Sequence, residues 1–429
     1  MKLELASYKI EELRLGKRTR FENGRLTVDP SEVAALVRVN ENIADVAVAV
    51  ALPGDSTRII HVVDAVEPRF KPGPGSTAFS GLLGAPDLAG AGRTNRLTGA
   101  VVVATVELPP GVNHDAGIKE AIIDMSGPGA PYCPFALTRN LVVHFTMKPG
   151  VALPEMAASW RQATLKVAQL LGSVTRDLTA DSVEMLELEV PAKALPRVIY
   201  VLPCMIRGDV HSTFWYGVSI TTTPTLAHPN EVLDGALVSA DYFISSHRFP
   251  TYYYQNDPII RQLYRQHGRD INFVGVLLGM CLIPGQAEKY RQAVQMAKIA
   301  RMLAADGAVV TVSTGGHTYA DQMLICQELE LSGIKTVLGV DEYGGEDGKG
   351  FPLVTYVPEA VAIVSTGNQE SCLELPAVER VLGGGEYLPG TTFDEGYRPD
   401  PAGPIKVILR DMFVATCQNG FTGYRARPY

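Results

Sequence analysis

This 429-residue chain lacks several features that mark nucleic-acid, membrane and secreted proteins. It has no basic surplus. Its 38 Lys and Arg stand against 46 Asp and Glu, a formal charge of −8, which argues against a phosphate backbone or an anionic bilayer as partner. Long apolar runs are missing too: Phe273 to Pro284, the longest, is about a dozen residues, where a bilayer span needs roughly 20. The opening stretch MKLELASYKIEELRLG is charged throughout and lacks the apolar centre of a signal peptide, so a cytoplasmic protein is expected. Closely spaced cysteines are absent. Cys133, Cys204, Cys281, Cys326, Cys372 and Cys417 form no Cys-x-x-Cys pair and no disulfide-scaffold pattern, which points to reduced, buried thiols.

Nucleotide and hydrolase signatures also fail. Gly344-Gly345-Glu346-Asp347-Gly348-Lys349 has the wrong spacing for a phosphate loop, and Gly350 stands where Ser or Thr is needed. Gly383-Gly384-Gly385 lacks a suitable strand before it and helix after it. There is no Gly-x-Ser-x-Gly elbow and no His-Glu-x-x-His helix.

What is present divides into three parts. Residues 1–225 read as a β-rich domain with one or two helices, among them an amphipathic one near Pro154 to Leu171. Strands in this half include Val46 to Leu52, Val101 to Val106, Leu141 to Thr146 and Val198 to Cys204. Residues 259–429 alternate continuous apolar strands with amphipathic helices, the pattern of a doubly wound α/β domain with a parallel sheet. Between them, residues 226–258 form a central loop, LAHPNEVLDGALVSADYFISSHRFPTYYYQND, with no sustained period. A long irregular segment rich in His, Tyr and acidic residues reads as a functional site or as a packed interdomain connection.

In open α/β sheets, ligands gather beyond the carboxyl ends of the strands. Three such ends carry polar loops here, so His317, Asp341, Glu342 and Asn368 are expected either to converge on a pocket or to serve as caps and turns.

Several stretches taken together resemble the component B proproteins of glycine, sarcosine and betaine reductases, and more distantly the D-proline reductase proprotein. They are GRTNRLTGAVVVAT (Gly92 to Thr105), IIDMSGPGAPYCPF (Ile122 to Phe135), PTLAHPNEVLDGALVS (Pro224 to Ser239), PTYYYQNDPIIRQLYRQHGRDINFVGV (Pro250 to Val276) and DEYGGEDG (Asp341 to Gly348). The resemblance implies reductive C–N cleavage in a small amino-acid derivative. It also implies self-cleavage at an Asn-Cys or Thr-Cys step just after the stretch matching DGALVS, leaving a pyruvoyl group, with a thiol or selenol on a partner subunit attacking the substrate. The matching position here reads Ala240-Asp241-Tyr242-Phe243. A phenol oxygen is too far from the preceding carbonyl to attack it, and tyrosine has no β leaving group, so a pyruvoyl group is expected to be absent. Ser245 and Ser246 have the chemistry but sit several positions late.

Asp241, at the replaced processing step, is then a candidate general base or metal ligand, with His247 and Glu342 completing a possible divalent-metal set. Asp341 pairs with Glu342 as a second carboxylate. His228 is either a substrate contact or a residue that shapes its loop. Tyr252, Tyr253 and Asn256 are candidate substrate contacts; the tyrosines alternate faces if extended, and Asn256 with Asp257 also fits a helix cap ahead of Pro258. Cys133, in the turn PYCPF, is the candidate reactive thiol. The chain is therefore expected to be a subunit of a hetero-oligomer with a second reductase-like subunit, acting on a C–N or C–S bond of a small amino-acid derivative. The alternatives are a pyruvoyl-type reductase subunit and a non-catalytic scaffold.

Overall fold

The computed structural model describes residues 1–73, 76–107, 121–191, 194–207, 210–242, 244–385 and 399–421. It is a mixed α/β protein with several sheets. In the first half, the strands Ile43–Ala51, Arg139–Met147, Ala100–Glu107 and Val62–Val66 form one sheet in that order. The inner strand Ala100–Glu107 is buried almost throughout, with the helix Leu153–Ser173 packed against the sheet, whereas the edge strand Ile43–Ala51 is buried at Ile43, Val46 and Ala51. That helix presents Met156, Trp160, Ala163, Val167 and Leu171 at three-to-four spacing to the core, as the sequence pattern predicts. Burying such a stripe is the main favourable term in its packing, at about 25 cal/mol per Å² of apolar area.

The largest sheet carries five parallel neighbours in the order Asn272–Cys281, Arg197–Arg207, Gly307–Val310, Lys335–Glu342 and Ile363–Asn368. The strand Arg197–Arg207, read from the sequence as one of the β-rich half, lies second in this row. The parallel sheet therefore draws on both halves. Alternation sorts its side chains by face. Ile199, Val201, Leu277, Val310 and Leu338 meet the helices Gln286–Met302 and Thr318–Leu331. Tyr200, Leu202, Val276 and Leu278 join another core with Ile259, Ile260 and Leu263 of the helix Pro258–Gln266.

The central segment is not irregular throughout. It holds the short helix Pro229–Leu233, the strand Leu237–Ala240, a single 3-10 turn at Ser245–His247 and the helix Thr251–Gln255. The tyrosine run is thus helical rather than extended. Two buried arginines fix this segment by their rigid forks of donors. Arg69 donates to the Leu233 carbonyl and, at 2.8 Å, to the Gln255 carbonyl, while pairing with Glu67. Arg248 donates to the carbonyls of Val62 at 2.7 Å and Tyr242 at 2.5 Å. Through Leu237–Ala240 the segment also pairs with His211–Trp215, which continues from the end of Arg197–Arg207. Asp241 therefore starts where the sheet extension stops, close to the carboxyl ends of the parallel strands.

Candidate active site

Three segments meet at those strand ends: the central segment at Asp241–His247, the loops after the parallel strands, and residues 409–421. The last segment is laced to the first by backbone bonds from Val414 N–H to the Ser245 carbonyl at 2.9 Å and from Thr416 N–H to the Ser246 carbonyl at 3.0 Å. Gln418 then reaches into the sheet. Its side-chain oxygen accepts from Val312 N–H at 2.9 Å and from Gln322 at 3.3 Å.

At the centre, the His247 Nε2 faces the Asp341 Oδ2, and both side chains are fully buried. A charged or polar pair out of water needs fixed partners, and each side of this one is held. The Tyr319 phenol donates both to Asp341 Oδ1 and, at 2.6 Å, to the Asp341 carbonyl. Gln418 Nε2 lies 3.5 Å from the same Oδ1. Gly315 packs against the imidazole so closely that a Cβ would sit 2.3 Å from Cε1 and 2.5 Å from Nδ1. Tyr343 stands edge-on at 6.2 Å from the ring, with Arg410 at 5.4 Å from the centre of its own ring.

Buried polar atoms are nearly always hydrogen-bonded. Here the Ser246 Oγ, both His247 ring nitrogens, the Thr314 Oγ1, the Asp341 Oδ2 and the Thr416 Oγ1 are buried without a hydrogen-bond partner among the described residues. These atoms lie in or beside the same three segments, and the Tyr253 Oη of the helix Thr251–Gln255 is without a partner as well. Carboxylates crowd this region. Burial holds the Cys417 thiol well above its ordinary range, and the charges of Asp257, Asp341 and Asp241 act in the same direction. Asp257 itself is raised to about 7 by burial, against the hydrogen bonds it accepts as cap of the helix Pro258–Gln266.

The residues expected from the sequence divide accordingly. Asp241, His247 and Asp341 fall within this region, and all are buried. Glu342 is buried one residue on, accepting from Ser365 Oγ at 2.5 Å. Asn368 shapes the following loop: it accepts from Gly344 N–H at 3.0 Å and donates to the Gly345 carbonyl at 2.7 Å. His317 is exposed at the start of the helix Thr318–Leu331 and makes no such contact. Asp241, His247 and Glu342 do not form a metal-holding group; among the described residues no cluster of three such side chains does.

Other candidates are structural. His228 caps its helix, with Nδ1 accepting from Asn230 N–H at 3.1 Å and Glu231 returning the bond, and burial lowers its imidazole to about 4. Tyr252 packs edge-on to Phe135 at 5.2 Å, and Tyr253 stacks on Phe421 at 4.2 Å. Asn256, at the end of the helix Thr251–Gln255, accepts from Arg96 at 3.3 Å and Arg261 at 3.4 Å. Cys133 is buried, and burial pushes its thiol up to about 12, which opposes formation of the thiolate. Tyr319 and Gln418 were not singled out in the sequence; Thr314 and Gly315 stood only as part of a polar strand-end loop, and Ser246 only for its self-cleavage chemistry. The polar run Cys417-Gln418-Asn419-Gly420 was the signal available for the last segment.

At the step where the resemblance expects a processing residue, the Tyr242 phenol accepts from Trp160 Nε1 at 3.0 Å in a buried ring cluster with His211. Tyr242 N–H donates to His211 Nδ1 at 3.2 Å. No heteroatom sits on its Cβ, so the residue present does not fit a pyruvoyl precursor. Phe243 lies outside the described residues.

The fold and this region define a mixed α/β protein with a buried imidazole–carboxylate pair at the ends of its parallel strands. A family model described as glycine/sarcosine/betaine reductase component B subunits matches residues 1–427, and the chain belongs to that family. It is 36% identical to the glycine reductase complex component B subunits alpha and beta of Peptoclostridium acidaminophilum, over the whole of both chains. It is 32% identical, again over the whole of both, to the sarcosine reductase complex component B subunit alpha of that organism. To its betaine reductase complex component B subunit alpha the identity is 34%, over 93% of this chain and 92% of the relative. No solved structure matches. Among the described residues, no helix is long and apolar enough to cross a membrane.

Proposed function

We propose that this chain is an uncleaved, pyruvoyl-free relative of reductase component B. It serves as one subunit of a heteromeric enzyme that acts on a C–N or C–S bond of a small amino-acid derivative, heterocyclic ones included. The observation that carries this reading is Tyr242, which occupies the processing position as a buried, hydrogen-bonded core residue. Family membership supports the reductase lineage, and the names of the relatives, all components of reductase complexes, support a partner subunit.

The chemistry assigned to this chain is binding and proton handling. A substrate ammonium suits a site bordered by Asp241, Asp341 and Glu342, because opposite charge offsets the loss of water. The His247–Asp341 pair can then hold or pass a proton at the reacting centre, a role that requires a titratable group within hydrogen-bond reach. The attacking thiol or selenol belongs to the second subunit. The parallel part of the fold, taken as a doubly wound domain, presents the site at its strand ends.

The test is turnover of small amines and thioether amino acids by the co-purified complex. His247→Gln and Asp341→Asn should abolish turnover while the complex still assembles. Full activity in both variants would remove this chain from the chemistry and leave it a scaffold.

A further inference from the structure

The carboxylate of Asp341 has two oxygens with different duties. Oδ2 faces His247, and Oδ1 receives the Tyr319 phenol and, more weakly, Gln418 Nε2 at 3.5 Å. Tyr319 also donates at 2.6 Å to the main-chain carbonyl of the same residue. One hydroxyl thus spans the side chain and backbone of Asp341, which removes the freedom of the carboxylate to turn. The phenol is a committed donor. Burial, and next the charge of Asp341, hold its proton well above the ordinary tyrosine range. It is fully buried in the first turn of the helix Thr318–Leu331, and its ring meets Tyr343 edge-on at 6.0 Å.

With Oδ1 taken, Oδ2 is the lone acceptor offered to the imidazole. A neutral imidazole carries one N–H, and its position follows the hydrogen bond the ring makes. We propose that Tyr319 is the positioning residue of the His247–Asp341 pair, placing the imidazole proton on Nε2 and leaving Nδ1 bare. By hydrogen-bond geometry neither ring nitrogen has a partner among the described residues, so the contact with Asp341 Oδ2 is what distinguishes Nε2 from Nδ1. Gly315 lies against the Nδ1–Cε1 side of the ring, where a Cβ would come within 2.5 Å of Nδ1. Tyr319 touches no reacting atom; it acts through Asp341.

This rests on the reading of His247 and Asp341 as the proton-handling pair, and the test separates the two. The full chain with 15N-labelled histidine is examined by NMR at neutral pH, with Tyr319→Phe beside it. The wild-type spectrum should show His247 protonated on Nε2 and unprotonated on Nδ1. Tyr319→Phe keeps the ring but frees Oδ1, and should give a mixture of tautomers. An unchanged tautomer in a folded variant overturns the proposal. If the variant does not fold, the wild-type spectrum still decides: a proton on Nδ1 overturns it as well. Neither result depends on turnover. In the active complex, the same variant should lose up to about 100-fold in kcat with KM unchanged, the signature of misplacement rather than lost binding. Equal loss in KM instead would overturn the positioning role.

Discussion

Trp160 donates its indole N–H to the Tyr242 phenol at 3.0 Å, which ties the residue at the processing position to the long helix of the first half. The bond makes Tyr242 part of the core rather than of a reactive loop. Tyr242→Phe leaves a buried indole donor without its acceptor and should lower stability by about 1–3 kcal/mol. Denaturant unfolding reads this directly, and an unchanged midpoint would contradict it.

Gly315 is held to glycine by space. A methyl there would lie 2.3 Å from His247 Cε1. Gly315→Ala should displace the imidazole, at a cost of about 1–3 kcal/mol in stability, and abolish turnover. A variant with wild-type stability and activity would show that the ring has room to move.

Asp64 gives a pH dependence with a defined sign. Burial raises its carboxyl to about 7, against the bonds it accepts from Thr251 and Ala65, with Arg161 nearby. In the unfolded chain an aspartate ionises near 3.9. Between about pH 4 and 7 the folded protein keeps a proton that the unfolded chain has released, so this contribution to stability is full at low pH and is lost as pH rises through 7. Asp64→Asn should flatten that fall by up to roughly 4 kcal/mol. Asp257 acts with the same sign, so some slope should remain. A slope identical to wild type would refute the assignment.

Cysteine labelling of the native protein should mark Cys372 first, since it is exposed while Cys133, Cys204, Cys281, Cys326 and Cys417 are buried. Fast modification of Cys133 would restore it as a nucleophile candidate.

Parts of this structure were plain in the sequence because their causes are local. The run Ile271 to Gly279 reads as a strand of a parallel sheet, the stretch from Pro154 to Leu171 as an amphipathic helix, and Asp257 before Pro258 as a cap. The place of Arg197–Arg207 was not legible, since membership of a sheet depends on partners far along the chain. Tyr252 to Tyr254 were considered as alternating faces if extended, yet packing against Phe135 and Phe421 accommodates them as a helical turn. At the site, His247 and Asp341 were both singled out, but for different groupings. Nothing in local spacing joins residues 94 positions apart, or adds Tyr319 and Gln418 as their supports.

The most direct test of the central claim is the denatured mass of the purified protein. An uncut chain predicts one species near 46.2 kDa. Two fragments divided between Asp241 and Ser246, one with the small mass loss of a pyruvoyl terminus, would contradict it and return the chain to the self-processing mechanism that its resemblance implies.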